Sequence, residues 1–311
     1  MCPLRDSLSE QLAGAAALHQ TVGVLIALVS SCLGGSAAAV TRYLAHGTDP
    51  ITLSILRWMI GFAIVLPAAL LLRAKWPPRA DWPAVALLGL SFFGAFFILY
   101  NIALGYTTAA RGALALSTLP LQTMLVGVIF RVEPLNARKS LGVAIAILGV
   151  FAALVTSLSN APEGAWRGEA IMIGAAFCMA AYNVFTRRFI LRSSALGFLC
   201  TGMGVAAAAL MLLGMLTGRG TVLSQFNGAQ WAAGIYLGVA GGALAFILWV
   251  MALQRASPTL VANTMTINPI AAALVAIPLV GEPITWNLVI GLIAVFLGIW
   301  IATSGRSPHD R

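Results

Sequence analysis

Apolar runs of similar length follow one another along almost the whole 311-residue chain, separated by short polar or Pro/Gly-bearing stretches. Each run is close to the ~20 residues that an α-helix needs to cross the hydrocarbon core of a bilayer. The pattern predicts spans at 21–44, 51–72, 82–104, 109–130, 140–157, 169–186, 194–217, 230–253, 259–281 and 285–303. The connections are too short for an extramembrane domain. A β-barrel would instead show alternating strands of ~10 residues. The expected fold is an all-α membrane protein with ten transmembrane helices. Residues 1–19 read as a polar lead, with Asp6 and Glu10 ahead of the first span, and 305–311 as a short tail. Acids at those positions do not suit a cleavable signal peptide.

Composition agrees with this reading. The chain is 60% hydrophobic and 9% charged, whereas soluble domains carry about 25% charged residues. Of the four cysteines, Cys32, Cys178 and Cys200 lie inside apolar runs and Cys2 stands alone at the start. No close-spaced pair suggests a disulfide or a metal site.

The net charge of +9 could signal nucleic-acid binding, but no basic cluster is interleaved with aromatics. Its distribution fits membrane topology better. With a cytoplasmic N-terminus, 13 of the 18 basic residues fall on the inner side: Arg5, Arg73, Lys75, Arg79, Arg131, Arg138, Lys139, Arg187, Arg188, Arg192, Arg255, Arg306 and Arg311. Four fall outside, namely Arg42, Arg111, Arg167 and Arg219. The positive-inside rule then places both termini in the cytoplasm. Arg57 alone lies within a span.

The sequence also repeats itself. At an offset of 149 residues Trp82 meets Trp231, Gly89 meets Gly238, Tyr100 meets Trp249, Pro120 meets Pro269, Glu133-Pro134 meets Glu282-Pro283, and Gly142 and Gly149 meet Gly291 and Gly298. Near the start of each half an offset of 145 pairs Gly23 with Gly168 and Thr41-Arg42 with Thr186-Arg187. These matches define two five-helix units, 20–157 and 167–304. Five is odd, so the second unit must enter the membrane inverted. The loop charges agree. The loop from Arg131 to Lys139 carries three basic residues, and its counterpart, Val280 to Thr285, carries none. Inverted repeats are common in secondary transporters, with the substrate site near the midplane between the halves.

The segments RVEPLNARKSLGVAIAILGVF and VGEPITWNLVIGLIAVFLGIW resemble the paired Glu-Pro…Gly…Gly ends of EamA-type repeats in the drug/metabolite transporter superfamily. The likeness covers about residues 20–304. It implies ten helices, a small-metabolite cargo and alternating access.

Pro120 and Pro269 fall near the middles of spans four and nine. Each lacks an N–H to give the carbonyl four residues back, that of Leu116 or Met265. Paired helix interruptions at matching positions point to a binding site. Polar and aromatic residues at that depth supply the candidate substrate contacts: Tyr100, Asn101, Thr118, Tyr182, Asn183, Trp249 and Asn268. Amides in hydrocarbon face either a cavity or another helix, so each could serve cargo or packing. Phe92, Phe96 and Tyr100 form a stripe that reads first as packing. Gly234, Gly238 and Gly242 suit close helix approach. Arg57 could snorkel, pair with Glu282, form an outer gate or contact a carboxylate.

Several residue types are missing from the core. The nine acids and three histidines lie near span ends or in loops. A carboxylate proton relay and a carboxylate-based site for organic cations are therefore not expected. No phosphate-binding G-x-x-x-x-G-K-[ST] motif occurs. An intramembrane enzyme would need a His, Asp, Glu or Ser-base constellation at depth. A channel would show a repeated filter loop or rings of charge. Nucleotide sugars would want several embedded cations, and other metabolites or drugs remain the alternative cargo. The expected protein is a multi-pass secondary transporter of the cell (inner) membrane. Its partners are the lipid bilayer and a small neutral or zwitterionic solute, and it needs no cofactor or metal. Within the superfamily it resembles aromatic-amino-acid exporters of YddG type. A monomer and a homodimer both suit the pattern.

Overall fold

The computed structural model describes residues 3–132, 163–219 and 221–281, with isolated positions between 141 and 148 and between 286 and 297. The expected spans 140–157 and 285–303, and Glu282, lie outside the described residues. All regular structure among the described residues is helical. Eight helices are long and apolar enough to cross a membrane. They are α1 (Pro3–Ala45), α2 (Pro50–Leu71), α3 (Arg79–Tyr106), α4 (Ala109–Ile129), α5 (Ala165–Ile190), α6 (Ala195–Thr217), α7 (Gly228–Arg255) and α8 (Pro258–Val280). They cover eight of the ten expected spans, so α5 to α8 are the sixth to ninth. The polar lead is helical from Pro3 and continuous with the first span.

Local chemistry sets the helix starts. Asp49 caps α2, its Oδ1 accepting from the N–H groups of Ile51 and Thr52 at 3.1 Å. Thr108, Ser194 and Ser257 cap α4, α6 and α8 in the same way. Asn227 and Gln230 form a reciprocal capping box at the head of α7.

The contacts repeat by halves. Helix α1 packs on α7 and α8, and α5 packs on α3 and α4. Helix α2 packs on α6 and α7, and α6 on α2 and α3; α4 also meets α8. Exchanging α1–α4 for α5–α8 leaves this set unchanged. One contact shows the rule in atomic detail. A Cβ on Gly89 would collide with the backbone of Gly202, its Cα lying 2.6 Å away. At the equivalent crossing a Cβ on Gly238 would collide with Ile60 and sit 3.4 Å from the carbonyl of Arg57. Glycine lets both pairs of helices approach to backbone contact.

Polar bonds tie the two ends of the bundle. At one end Arg42 donates to the carbonyls of Leu104 and Gly105 at 2.8 and 3.0 Å. Arg111 pairs with Glu169 at 2.6 Å, and Arg219 with Asp49 at 3.4 Å. At the other end Arg192 pairs with Asp81 at 3.2 Å, and Ser194 donates its N–H to the carbonyl of Lys75. The C-terminal end of α1 and the N-terminal end of α5 thus lie at the same end of the bundle.

Candidate functional site

Each half has two interruptions in its helical hydrogen bonding, at matching positions. Helix α3 widens into a π-helical turn over Leu90–Phe96, and α7 does so over Val239–Leu244. Helix α4 breaks at Ser117 and Thr118 before restarting at Leu119, and α8 tightens into a 3-10 turn over Thr264–Ile267 before restarting at Asn268. Pro120 and Pro269 take the second position of the restarted segments. There proline's missing N–H costs least, because a first turn has unpaired donors anyway. The matched prolines therefore restart the two helices rather than kink them midway.

The four interruptions converge on one cavity. It is lined by Gly34 of α1, Arg57 of α2, Phe96, Phe97 and Tyr100 of α3, Leu116 of α4, Met179 of α5, Gly241 and Phe246 of α7, and Met265 and Asn268 of α8. Leu116 and Met265 are the two residues whose carbonyls Pro120 and Pro269 cannot reach with an N–H. The cavity has about 40 Å³ open to a water-sized sphere. That is room for water and not for a metabolite.

Arg57 dominates its electrostatics. Two turns into α2, it is 3% exposed. Its guanidinium carbon lies 4.9 Å from the Phe97 ring centroid, 5.9 Å from Trp58 and 6.0 Å from Tyr100. Nη2 reaches Thr41 Oγ1 at 3.5 Å, and Nε has no partner among the described residues. Taking an ion from water into the interior costs several kcal/mol after relaxation. A desolvated cation–π contact returns about 2 kcal/mol, and a hydrogen bond at the distance limit returns little. The ring contacts therefore offset only part of the cost. Gly241 makes room for this side chain, since a Cβ there would sit 3.2 Å from Nη2.

Beside the cation stands a block of aromatic rings. Phe92 stacks on Tyr182 with centroids 4.4 Å apart, and Trp58 meets Phe93 and Phe97 edge-on at 4.7 and 4.6 Å. Phe246 of α7 closes the cluster against Trp58 at 5.5 Å. The π turn brings Phe96 and Phe97 together onto the cavity wall.

The expected contacts divide into two groups. Tyr100, Asn268 and Arg57 line the cavity. The Nδ2 of Asn268 approaches Met265 Sδ at 3.5 Å, and its buried Oδ1 has no partner among the described residues. The other candidates are engaged between or within helices. Asn101 donates to the Pro50 carbonyl at 3.0 Å and to Ser54 Oγ at 2.9 Å, beside a separate cavity of about 340 Å³ at the bundle end. Asn183 Oδ1 accepts from Trp249 Nε1 at 3.0 Å, which ties α5 to α7. Thr118 donates to the Ala115 carbonyl within the α4 break and accepts from Gln122, and Tyr182 lies in the aromatic block. Phe97, Phe246, Trp58 and Gly241 were not among the expected site residues. For the first two a signal existed, because Phe97 and Phe246 stand at the same 149-residue offset as the prolines.

Among the described residues, eight apolar helices enclose a small, mostly apolar cavity with Arg57 and Asn268 in its wall, and they define a multi-pass membrane protein. A family model described as the EamA-like transporter family matches residues 21–155 and 166–304, and the chain belongs to that family. It is 23% identical over 255 residues to the uncharacterized transporter YyaM of Bacillus subtilis, covering 79% of this chain and 82% of that one. It is 25% identical over 231 residues to a probable terminal-alkyne amino-acid exporter of Streptantibioticus cattleyicolor, covering 74% of this chain and 76% of that one. A solved crystal structure superposes with a TM-score of 0.70 at 20% identity, covering 91% of this chain and 96% of that one, which supports the fold.

Proposed function

We propose that this protein is a secondary transporter of a small zwitterionic or neutral metabolite, in the first place an amino acid with an apolar or aromatic side chain, and that it works as an exporter. The observation that carries this reading is the cavity where the four helix interruptions meet. It combines a buried cation, an unpartnered amide oxygen and aromatic walls. An amino acid presents the complementary set: a carboxylate, an ammonium and an apolar side chain. Larger polyanions such as nucleotide sugars fit less well, since Arg57 is the one cation in the lining. The amino-acid exporter among the relatives supports the same class.

The frame we propose is ten spans in two inverted five-helix halves, 20–157 and 167–304, in the cell (inner) membrane with both termini cytoplasmic. The opposed directions of α1 and α5 support the inversion. Thirteen of the 18 basic residues on one side support the orientation. The cavity admits water-sized spheres only, so cargo must enter by separating the halves. Rocking one half on the other would open the cavity to each side in turn. Among the described residues the lining carries no carboxylate or histidine, which supports flux driven by the solute gradient alone.

Proteoliposomes holding the purified protein and loaded with unlabelled phenylalanine should accumulate labelled phenylalanine by counterflow with no pH or Na⁺ gradient. Absence of counterflow with every amino acid tried would reject the cargo class. Strict dependence on an ion gradient would reject the driving force.

A further inference from the structure

We infer that Arg57 anchors the carboxylate of the solute and that Asn268 Oδ1 accepts a hydrogen bond from its ammonium. The inference rests on the transporter reading and specifies how the cargo is held. The guanidinium is buried, and no carboxylate among the described residues pairs with it. Phe97, Trp58 and Tyr100 present ring carbons to its carbon atom, so they offer no strong acceptor to its N–H groups. A carboxylate meets the guanidinium fork with two parallel hydrogen bonds. An ammonium brought there would be repelled.

The second pole is independent of the first. Asn268 turns its Nδ2 toward a thioether and leaves its buried amide oxygen without a donor among the described residues. Both side chains line the one cavity, together with the rings of Phe96 and Phe246. Gly241 adds a third constraint. A side chain there would press on Nη2 and on Ala37 Cβ, 2.6 Å from the added carbon. The α7 π turn therefore seats the guanidinium in the cavity. The ligand class is a monocarboxylate with an apolar body, bound best when an ammonium is added. An amine without a carboxylate falls outside it.

The test is binding of phenylalanine, 3-phenylpropionate, phenethylamine and chloride to the full-length protein in detergent, followed by calorimetry. On the unaltered protein phenylalanine should bind best. Phenylpropionate should bind next, and phenethylamine at least about tenfold more weakly than phenylpropionate, as expected for loss of hydrogen bonds to a charged group. Arg57→Gln should weaken phenylpropionate about ten- to a hundredfold, and Asn268→Ala should weaken phenylalanine more than phenylpropionate. Equal affinity for the amine and the carboxylate on the unaltered protein overturns the inference without recourse to any variant. So does chloride competing as well as phenylpropionate, which would mark a general anion site. Counterflow separates this inference from the transport reading. Phenylalanine flux unchanged in Arg57→Gln removes the anchor and keeps the transporter. Carboxylate binding that depends on Arg57, with no amino-acid flux, keeps the anchor and removes the cargo assignment.

Discussion

The contact between Gly89 of α3 and Gly202 of α6 gives the most direct test of how the halves are built. Adding one methyl at Gly89 places a Cβ 2.6 Å from Gly202 Cα and 2.7 Å from its carbonyl carbon. The Gly202 carbonyl oxygen lies nearer still, and contacts between 3.0 and 3.4 Å are already tight, so α3 and α6 must part by about 1 Å. The opposing atoms are backbone and cannot swing aside. A gap of 0.5–1 Å forfeits about a quarter to a half of the dispersion well for each flanking contact, and overpacking of this kind costs about 1–3 kcal/mol. For a chain of 311 residues that is a drop of about 2–5 °C in apparent Tm. The assay is heating in detergent followed by gel filtration, reading the fraction that stays monodisperse. Gly174→Ala is the matched control. Gly174 faces outward from the middle of α5, and its added Cβ would meet nothing within 4 Å. That variant should equal the parent or gain slightly from helix propensity. If Gly89→Ala is as stable as the parent, the backbone contact between α3 and α6 is wrong.

Two further predictions concern the site. Pro120→Ala and Pro269→Ala each restore an N–H for the carbonyl of Leu116 or Met265 and should straighten α4 or α8. Apparent Tm should rise or hold while counterflow falls severalfold; full transport by the double variant would show that the interruptions are not needed. Asn101→Ala and Trp249→Phe remove bonds between helices, each worth about 0.6 kcal/mol when the partners find others and more where Asn183 is left buried and unpaired. They should lower thermal stability and leave the apparent KM near that of the parent. Tyr100→Ala and Asn268→Ala should show the reverse, and a raised KM in Asn101→Ala would return that residue to the binding site.

The eight described spans were legible because a bilayer leaves so few options. Backbone groups in hydrocarbon must be satisfied within a helix, so length and apolarity suffice to find one. The offset of 149 residues was legible for a similar reason. Glycine at a backbone crossing and proline at a helix restart tolerate few replacements, and Gly89/Gly238 and Pro120/Pro269 kept their places in both halves. The π turns were not legible. A single extra residue in the hydrogen-bond register leaves no periodic mark in a run that is apolar on every face. The division of the amides was hidden too. Asn101 and Asn268 are the same residue type at similar depth, and what separates them is a neighbour: Ser54 and the Pro50 carbonyl in one case, a thioether in the other. Those neighbours come from helix packing, which the local sequence does not encode. The aromatic stripe read from Phe92, Phe96 and Tyr100 mixed both roles, since Phe92 packs on Tyr182 while the other two line the cavity.

The most informative feature of the site is where the symmetry of the frame fails. At the common offset Phe92, Phe93, Phe96 and Phe97 of α3 correspond to Gly241, Gly242, Ala245 and Phe246 of α7. One π turn is filled with rings, and the other has two glycines where two of those rings stand. The same contrast holds one helix earlier in each half. Arg57 on α2 and Gly202 on α6 stand at equivalent places, 145 residues apart. The two differences are coupled. Space left by Gly241 admits the guanidinium on the α2–α7 side. On the α6–α3 side rings fill the volume, and Gly202 has no side chain to place there. Two identical halves would put two cations around the cavity, which suits a dianion or nothing. Keeping the cation on one half alone gives the cavity a positive pole and leaves Asn268 to form the other. A solute with one carboxylate and one ammonium then has a single preferred orientation. In the proposed transport cycle the matched interruptions of the backbone repeat serve as the two hinges, and the broken side-chain repeat supplies the dipole that recognises cargo.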